Sequence, residues 1–300
     1  MNFNFHDFKN AFVDSYRRWR YGRWRYDARL APVRMAIRRW RQYRGPIRRW
    51  CDARLRRQVF ESTGMIPFDQ SREEDVFIIG FQKSGHTWFQ SIVAGLIYDL
   101  DVHHAHDELI QELVPDPRKT FYRRFQTPMF FKEHTLPIPR IRRVVYLLRD
   151  GRDAMVSLYH YLRASGRTDV TFLNLLQNEV TPKWHEHVEA WLDNPYKADI
   201  LQIKYEDMKL NPLKELRRLC TFVGIERDDD AINRVIAMTT FEKMREREGR
   251  FGWATFPKHT LPKGFIRRGV AGSHKDEMPP EVLEAFMAEA GSTMKKCGYV

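Results

Sequence analysis

Lys83, Ser84, Gly85 and Thr87 fall together in the run Gln82-Lys83-Ser84-Gly85-His86-Thr87-Trp88. One cation, two hydroxyls and a glycine in so short a span are suited to holding an anion. The run follows an apolar stretch, Asp75–Phe81 (DVFIIGF), and precedes Trp88, Ile92, Val93, Leu96 and Ile97 at helical spacing. Strand, tight loop and helix in that order aim backbone N–H groups and a helix N-terminus at phosphate. Gly85 lets the backbone come close, Lys83 adds a point charge, and the hydroxyls donate hydrogen bonds. The order Lys-Ser-Gly departs from G-x-x-x-x-G-K-[ST], which argues against nucleoside-triphosphate hydrolysis.

Two further basic patches accompany that loop. Arg143–Asp150 (RVVYLLRD) reads as a second buried strand ending in Arg149, and Ser157 follows eight residues later in a helical pattern. Phe265–Gly272 (FIRRGVAG) sets Arg267 and Arg268 ahead of a permissive loop. In Met129–Thr135 (MFFKEHT), strand alternation puts Lys132 and His134 on one face and Glu133 on the other.

The elements that must position these groups are those of an α/β fold. We expect a mainly parallel sheet with strands near 75–81, 129–134, 143–148 and 199–204, helices on both faces, and binding at the strands' carboxyl ends. The chain has 300 residues, enough for one large domain with an appendage, divided as 1–60 and 61–300. No run of about 18 apolar residues is present, so no membrane-spanning helix is expected. Cys51, Cys220 and Cys297 are odd in number and scattered, which fits a cytoplasmic, reducing setting without a disulfide framework. Cys220 reads as helix core. His103, His104 and His106 read as a polar loop, and Gly249–Pro262 as either a lid or a plain surface loop.

Charge separates the two segments. Residues 1–57 hold sixteen Arg and Lys9 against Asp7, Asp14, Asp27 and Asp52, a formal charge of +13; the remainder carries −1. Apolar residues recur at helical steps through this arm, with Trp19, Trp40 and Trp50 on the apolar edge. That composition suits an anionic membrane interface, which would make the protein peripheral on a membrane. It equally suits packing on the main domain or on a second subunit. Nucleic acid is the weakest of the readings.

Taken together, these motifs resemble those of the sulfotransferases that use 3′-phosphoadenosine 5′-phosphosulfate (PAPS). QKSGHTW resembles that family's P-K-S-G-T-T-W loop, and Arg149 with Ser157 matches its R-x7-S element. RRGVAGSHK at 267–275 is similar to R-K-G-x-x-G-D-W-K, and Lys132–Pro137 to K-T-H-L-P. Tyr205-Glu206-Asp207-Met208 repeats the family's Y-E-D-M, and Thr239–Met244 resembles T-S-F-x-x-M. The resemblance spans roughly residues 70–297 and departs at Gln82, His86, Arg268 and Ser273-His274. A segment resembling K-x-x-x-T-V-x-x-x-E, which many animal cytosolic members use to dimerise, is not found.

The resemblance implies a transferase in which His134 is the base and Lys83 stabilises the leaving oxygen. Lys83, Ser84, Gly85, His86 and Thr87 would cradle the donor. Arg149, Ser157, Arg267, Arg268 and Gly269 would hold its 3′-phosphate, and Trp88, Tyr205, Thr239 and Phe241 its adenine. No metal is called for. The acceptor would be a small-molecule or lipid hydroxyl, or an amine. Two rival readings are a small-molecule kinase on a related P-loop scaffold and an inactive membrane-associated adaptor.

Overall fold

A computed structural model describes residues 63–300 except 117, 118, 120, 168, 181 and 254–264, together with Arg54. The basic arm and most of the 249–262 segment therefore lie outside the described residues. The strands are β1 (Ile66–Pro67), β2 (Val76–Ile79), β3 (Phe121–Tyr122), β4 (Phe130–Glu133), β5 (Arg143–Leu148) and β6 (Asp199–Lys204). Four of them form one parallel sheet in the order β4-β2-β5-β6, while β1 and β3 make a separate antiparallel pair. The helices are α1 (His86–Tyr98), α2 (Asp107–Leu113), α3 (Gly151–Ala164), α4 (Trp184–Asp193), α5 (Tyr205–Leu210), α6 (Pro212–Val223), α7 (Asp229–Met238), α8 (Phe241–Phe251), α9 (His274–Glu277) and α10 (Pro280–Lys296). A short helical turn, Phe172–Asn174, runs into a π-helical turn, Leu175–Glu179. Among the described residues no helix is long and apolar enough to cross a membrane.

Strand alternation divides the core into two layers. Phe77, Ile79, Phe131, Val144, Tyr146 and Leu148 pack with Ala154, Met155, Trp184, Val188, Val282 and Phe286 from α3, α4 and α10. Val76, Ile78, Phe130, Val145, Leu147 and Ile203 pack with Ile92, Leu96, Leu216, Leu219, Ile232 and Val235 from α1, α6 and α7. Because both faces are covered, β2 is buried at every position, which is why its sequence reads as an unbroken apolar run. The expected strands are all present, though β2 is shorter than 75–81 and β4 stops at Glu133, one residue before His134.

Register brings the functional ends together. Ile79 pairs with Glu133 on one side and Tyr146 on the other, so Gly80, His134 and Arg149 all leave the sheet at its carboxyl edge. The start of β2 is pinned by the buried Asp75, whose carboxylate accepts both Arg124 terminal nitrogens at 2.8 and 2.7 Å and Met129 N at 2.9 Å. At the other end, a Cβ on Gly80 would lie 2.3 Å from the Leu147 carbonyl oxygen, so only glycine lets β2 and β5 close there.

Candidate active site

The loop after β2 turns sharply before α1 begins. Lys83 (φ 66) and Gly85 (φ 100) are both left-handed, and Ser84 N bonds to Phe81 O at 3.2 Å. Holding a lysine in that region costs about 1–2 kcal/mol, a strain that points to function. The far wall is as close as it can be, since a Cβ on Gly85 would sit 3.0 Å from Cδ2 of Tyr205. Tyr205 opens α5 straight after β6, and its ring lies 4.4 Å under the Arg149 guanidinium.

Arg149 joins two loops. Its terminal nitrogens donate to Lys83 O at 2.9 Å and to Val270 O at 3.2 Å, while its buried Nε has no partner. The second loop is fixed from below by Asp153 of α3. That carboxylate accepts Gly272 N at 2.6 Å, His274 N at 2.9 Å and His274 Nδ1 at 2.8 Å. Burial raises the Asp153 pKa, but these hydrogen bonds outweigh it and hold the carboxyl below its usual range. Glu206 ties the remaining edge, accepting Asp150 N at 3.1 Å and the Tyr299 hydroxyl at 2.9 Å.

His134 stands one residue beyond β4. Its Nδ1–H donates to Gly80 O at 3.0 Å, which leaves Nε2 as the acceptor nitrogen. Burial pushes its pKa down to about 4; the Gly80 bond works against this and the charge of Lys132 with it. The imidazole is therefore neutral at physiological pH and has a lone pair to offer. Glu133 points elsewhere, its carboxylate 3.5 Å from Arg140.

The amine of Lys83 lies 4.3 Å from the Tyr161 ring centroid and 4.2 Å from that of Phe265. Burial pushes its pKa down to about 7, and the positive charges of Arg149, Lys132 and Arg267 add to the effect. Phe265 is held where the chain re-enters the described structure, because Glu248 of α8 accepts the backbone N–H groups of Phe265 and Ile266.

Lys83, His134, Arg149, Tyr161, Tyr205 and Phe265 line a single cavity of about 420 Å³. Of the residues singled out in the sequence, Lys83, Gly85, His86, Thr87, Trp88, His134, Arg149, Ser157, Tyr205, Thr239, Phe241, Arg267 and Gly269 line it. Ser84 is buried and Arg268 faces outward, and neither is part of the lining. Arg268 bonds Glu277 at 2.6 Å, and Arg267 bonds the other oxygen of the same carboxylate at 2.5 Å. Trp88 is a wall rather than plain core: its indole N–H donates to Thr239 O at 2.8 Å and its ring meets Tyr205 edge-on. Lining residues that carried no signal in the sequence are Asp116, Tyr161 and Lys209, while Met244 and Ile266 lay inside quoted motifs without an assigned role.

Comparison with known proteins settles the family. The sulfotransferase domain family matches residues 73–298. This chain belongs to that family. Rat (Rattus norvegicus) Sulfotransferase 1C2 is 28% identical to this sulfotransferase over 250 residues, which span 74% of this chain and 83% of the rat protein. A solved structure of retinol dehydratase with androsterone and the inactive cofactor PAP shares the fold, with a TM-score of 0.57 at 21% identity over 75% of this chain and 81% of the other. Mouse sulfotransferase SULT7A1 complexed with PAP superposes with a TM-score of 0.56 at 23% identity, covering 75% and 85%.

The sulfotransferase cavity fits a doubly phosphorylated nucleotide on its own observations. Its lining includes Lys83, Lys132, Arg149, Lys209 and Arg267, the buried Nε of Arg149 has no partner, and glycines stand at points of close approach. Gly269 tests this directly. It has φ 64, and a Cβ there would fall 2.3 Å from Cδ2 of Phe241. Gly269→Ala should weaken binding of adenosine 3′,5′-bisphosphate about tenfold or more, since the left-handed backbone alone costs about 1–2 kcal/mol and Phe241 must move from the wall. Calorimetric titration of the variant checks it, and unchanged affinity would remove this loop from the binding site.

Proposed function

We propose that His134, Lys83 and Arg149 carry sulfuryl transfer from PAPS to the hydroxyl of a small acceptor bound in the shared cavity. The observation that carries this reading is the convergence in one cavity of a neutral imidazole with a free acceptor nitrogen, a buried amine and an arginine spanning two loops. The donor supplies the sulfuryl group, and the electron pair of the broken sulfur–oxygen bond stays on its 5′-phosphate oxygen. His134 Nε2 takes the acceptor's proton as the acceptor oxygen bonds to sulfur. Lys83, as the ammonium, hydrogen-bonds the leaving oxygen and offsets its growing charge. Arg149 and Arg267 hold the 3′-phosphate, with Ser157 supplying a hydroxyl. Trp88, Tyr205 and Phe241 flank the adenine.

The androsterone bound to retinol dehydratase supports a small hydroxylated acceptor for this chain, and Tyr161, Met244 and Phe265 supply an apolar surface for one. The arm's spaced Trp and Arg support attachment of the enzyme to an anionic lipid surface. Co-sedimentation of the full chain with vesicles containing phosphatidylserine should exceed that with phosphatidylcholine alone; equal, low binding would end that part of the reading.

The test of the reaction is calorimetric titration with adenosine 3′,5′-bisphosphate in EDTA, with ATP and ADP alongside. Micromolar or tighter binding of the bisphosphate alone is expected. Absence of binding, or preference for ATP once Mg²⁺ is restored, would replace this reading with the kinase one.

A further inference from the structure

His86 makes no hydrogen bond through its buried ring. It is the first residue of α1, three residues after Lys83, and only 4% of its surface is exposed. Neither Nδ1 nor Nε2 has a hydrogen-bond partner. A buried polar ring without partners costs stability, so a site that keeps one needs a reason outside the empty fold. His86 is among the residues that line the cavity, and its ring centroid lies 4.1 Å from that of His134 with the planes 57° apart. It also fills the space beside Gly80, where its Cε1 would lie 3.1 Å from an added Cβ.

Two facts restrict what the ring can do. Burial, reinforced by the nearby His134, Lys132 and Lys83, drives its pKa well below the usual value, so it is neutral and carries one N–H. The second fact is its position. It stands at the end of the phosphate loop and touches the proposed base, which puts it between the groups proposed for the donor and for the acceptor. The proposed reaction gives Lys83 to the leaving oxygen of the 5′-phosphate and assigns no donor to the sulfuryl oxygens; Lys132, the lining cation two residues from His134, is engaged with Gln90 Oε1 at 3.2 Å and Asp116 at 3.4 Å. The sulfuryl oxygens only accept hydrogen bonds, which selects the N–H edge of the ring. A neutral donor can orient them without adding to the repulsion among Lys83, Lys132 and Arg149.

We infer that His86 donates a hydrogen bond from its ring N–H to the transferring sulfuryl group of bound PAPS, holding sulfur in line between His134 and the leaving oxygen. The inference rests on the proposed reaction. It assigns the ring to the one part of the donor that the product, adenosine 3′,5′-bisphosphate, does not have.

That difference supplies the test. His86→Phe, His86→Leu and His86→Gln are each compared with the unmodified enzyme for bisphosphate affinity, PAPS turnover and melting temperature. His86→Phe and His86→Leu should lose about 10²-fold in kcat/KM, the usual effect of deleting one donor aimed at reacting oxygens. Both should bind the bisphosphate as the unmodified enzyme does, and melt no lower, because an unpartnered polar ring has gone. His86→Gln, which keeps a donor, should recover most of the lost turnover. The inference is overturned if the apolar variants turn over PAPS normally. It is also overturned if they lose bisphosphate affinity and turnover in parallel, or if Gln is no better than Leu. Two apolar shapes keep the comparison readable if one of them folds poorly. Failure of the underlying reaction is a separate result, visible as absence of bisphosphate binding in the unmodified enzyme.

Discussion

His134→Ala should lower sulfuryl-transfer turnover by about 10²–10⁴-fold, the range for removing a positioned general base, while leaving bisphosphate affinity unchanged. The split follows from geometry. Nδ1 is committed to the Gly80 carbonyl, so the proposed proton transfer falls to Nε2, and the proposed nucleotide contacts are made by other residues of the lining. The neighbouring carboxylate provides the control. Glu133 sits beside Arg140 and is not part of the cavity lining, so Glu133→Gln should turn over normally per folded molecule. Steady-state rates with PAPS and a phenolic or sterol acceptor, together with bisphosphate calorimetry, check both. A Glu133→Gln enzyme as inactive as His134→Ala would move the base to the carboxylate.

Lys83→Met should cost about 10²–10³-fold in kcat, as expected for a group that stabilises charge only as the leaving oxygen develops it. Lys83 also sets a pH limit. In the free enzyme its pKa is about 7, so the ammonium dominates below that value and the neutral amine above it. His134, at about 4, is a competent base above that value and a spent one below it. The profile of kcat/KM, which reports the free enzyme, should therefore be a bell with limbs near 4 and 7. Donor phosphates favour the charged amine, so the basic limb of kcat should lie at higher pH than that of kcat/KM. Lys83→Arg stays charged throughout and should flatten the basic limb even where its rate is lower. An unchanged basic limb in that variant would assign it to another group.

Much of this was legible from residue order because the phosphate-facing parts are local. A strand, a loop and a helix N-terminus are consecutive in sequence, and Val76–Ile79 announces itself as apolar because both of its faces are covered. Arg149 and Ser157 were legible for the same reason, since one strand end and the next helix bring them to the cavity. The rest depends on contacts distant in sequence. Nothing local marks Tyr161 as cavity wall, because it lies on a helix face whose partner, Phe265, is distant in sequence. The two adjacent arginines looked equivalent, yet backbone direction sends Arg267 into the cavity and Arg268 outward, with Glu277 taking both. His86 looked like a hydroxyl position carrying a different side chain. Its missing partners and its contact with His134 emerge only once β2 and β4 lie side by side.

The bond that orients the proposed base has an evolutionary consequence. In a Ser-His-Asp arrangement the group behind the histidine is a side chain, and one codon change deletes it. Here it is the peptide oxygen of Gly80, which every possible residue at that position would also possess. No single replacement removes the oxygen itself, so the tautomer depends on where the strand end lies rather than on a side chain's identity. Its vulnerability is steric instead: any larger residue at 80 meets the Leu147 carbonyl and must push the strand end, carrying the oxygen away from the imidazole. A lineage could exchange its acceptor-facing residues many times over while this oxygen kept the proposed base in the tautomer that leaves Nε2 as acceptor.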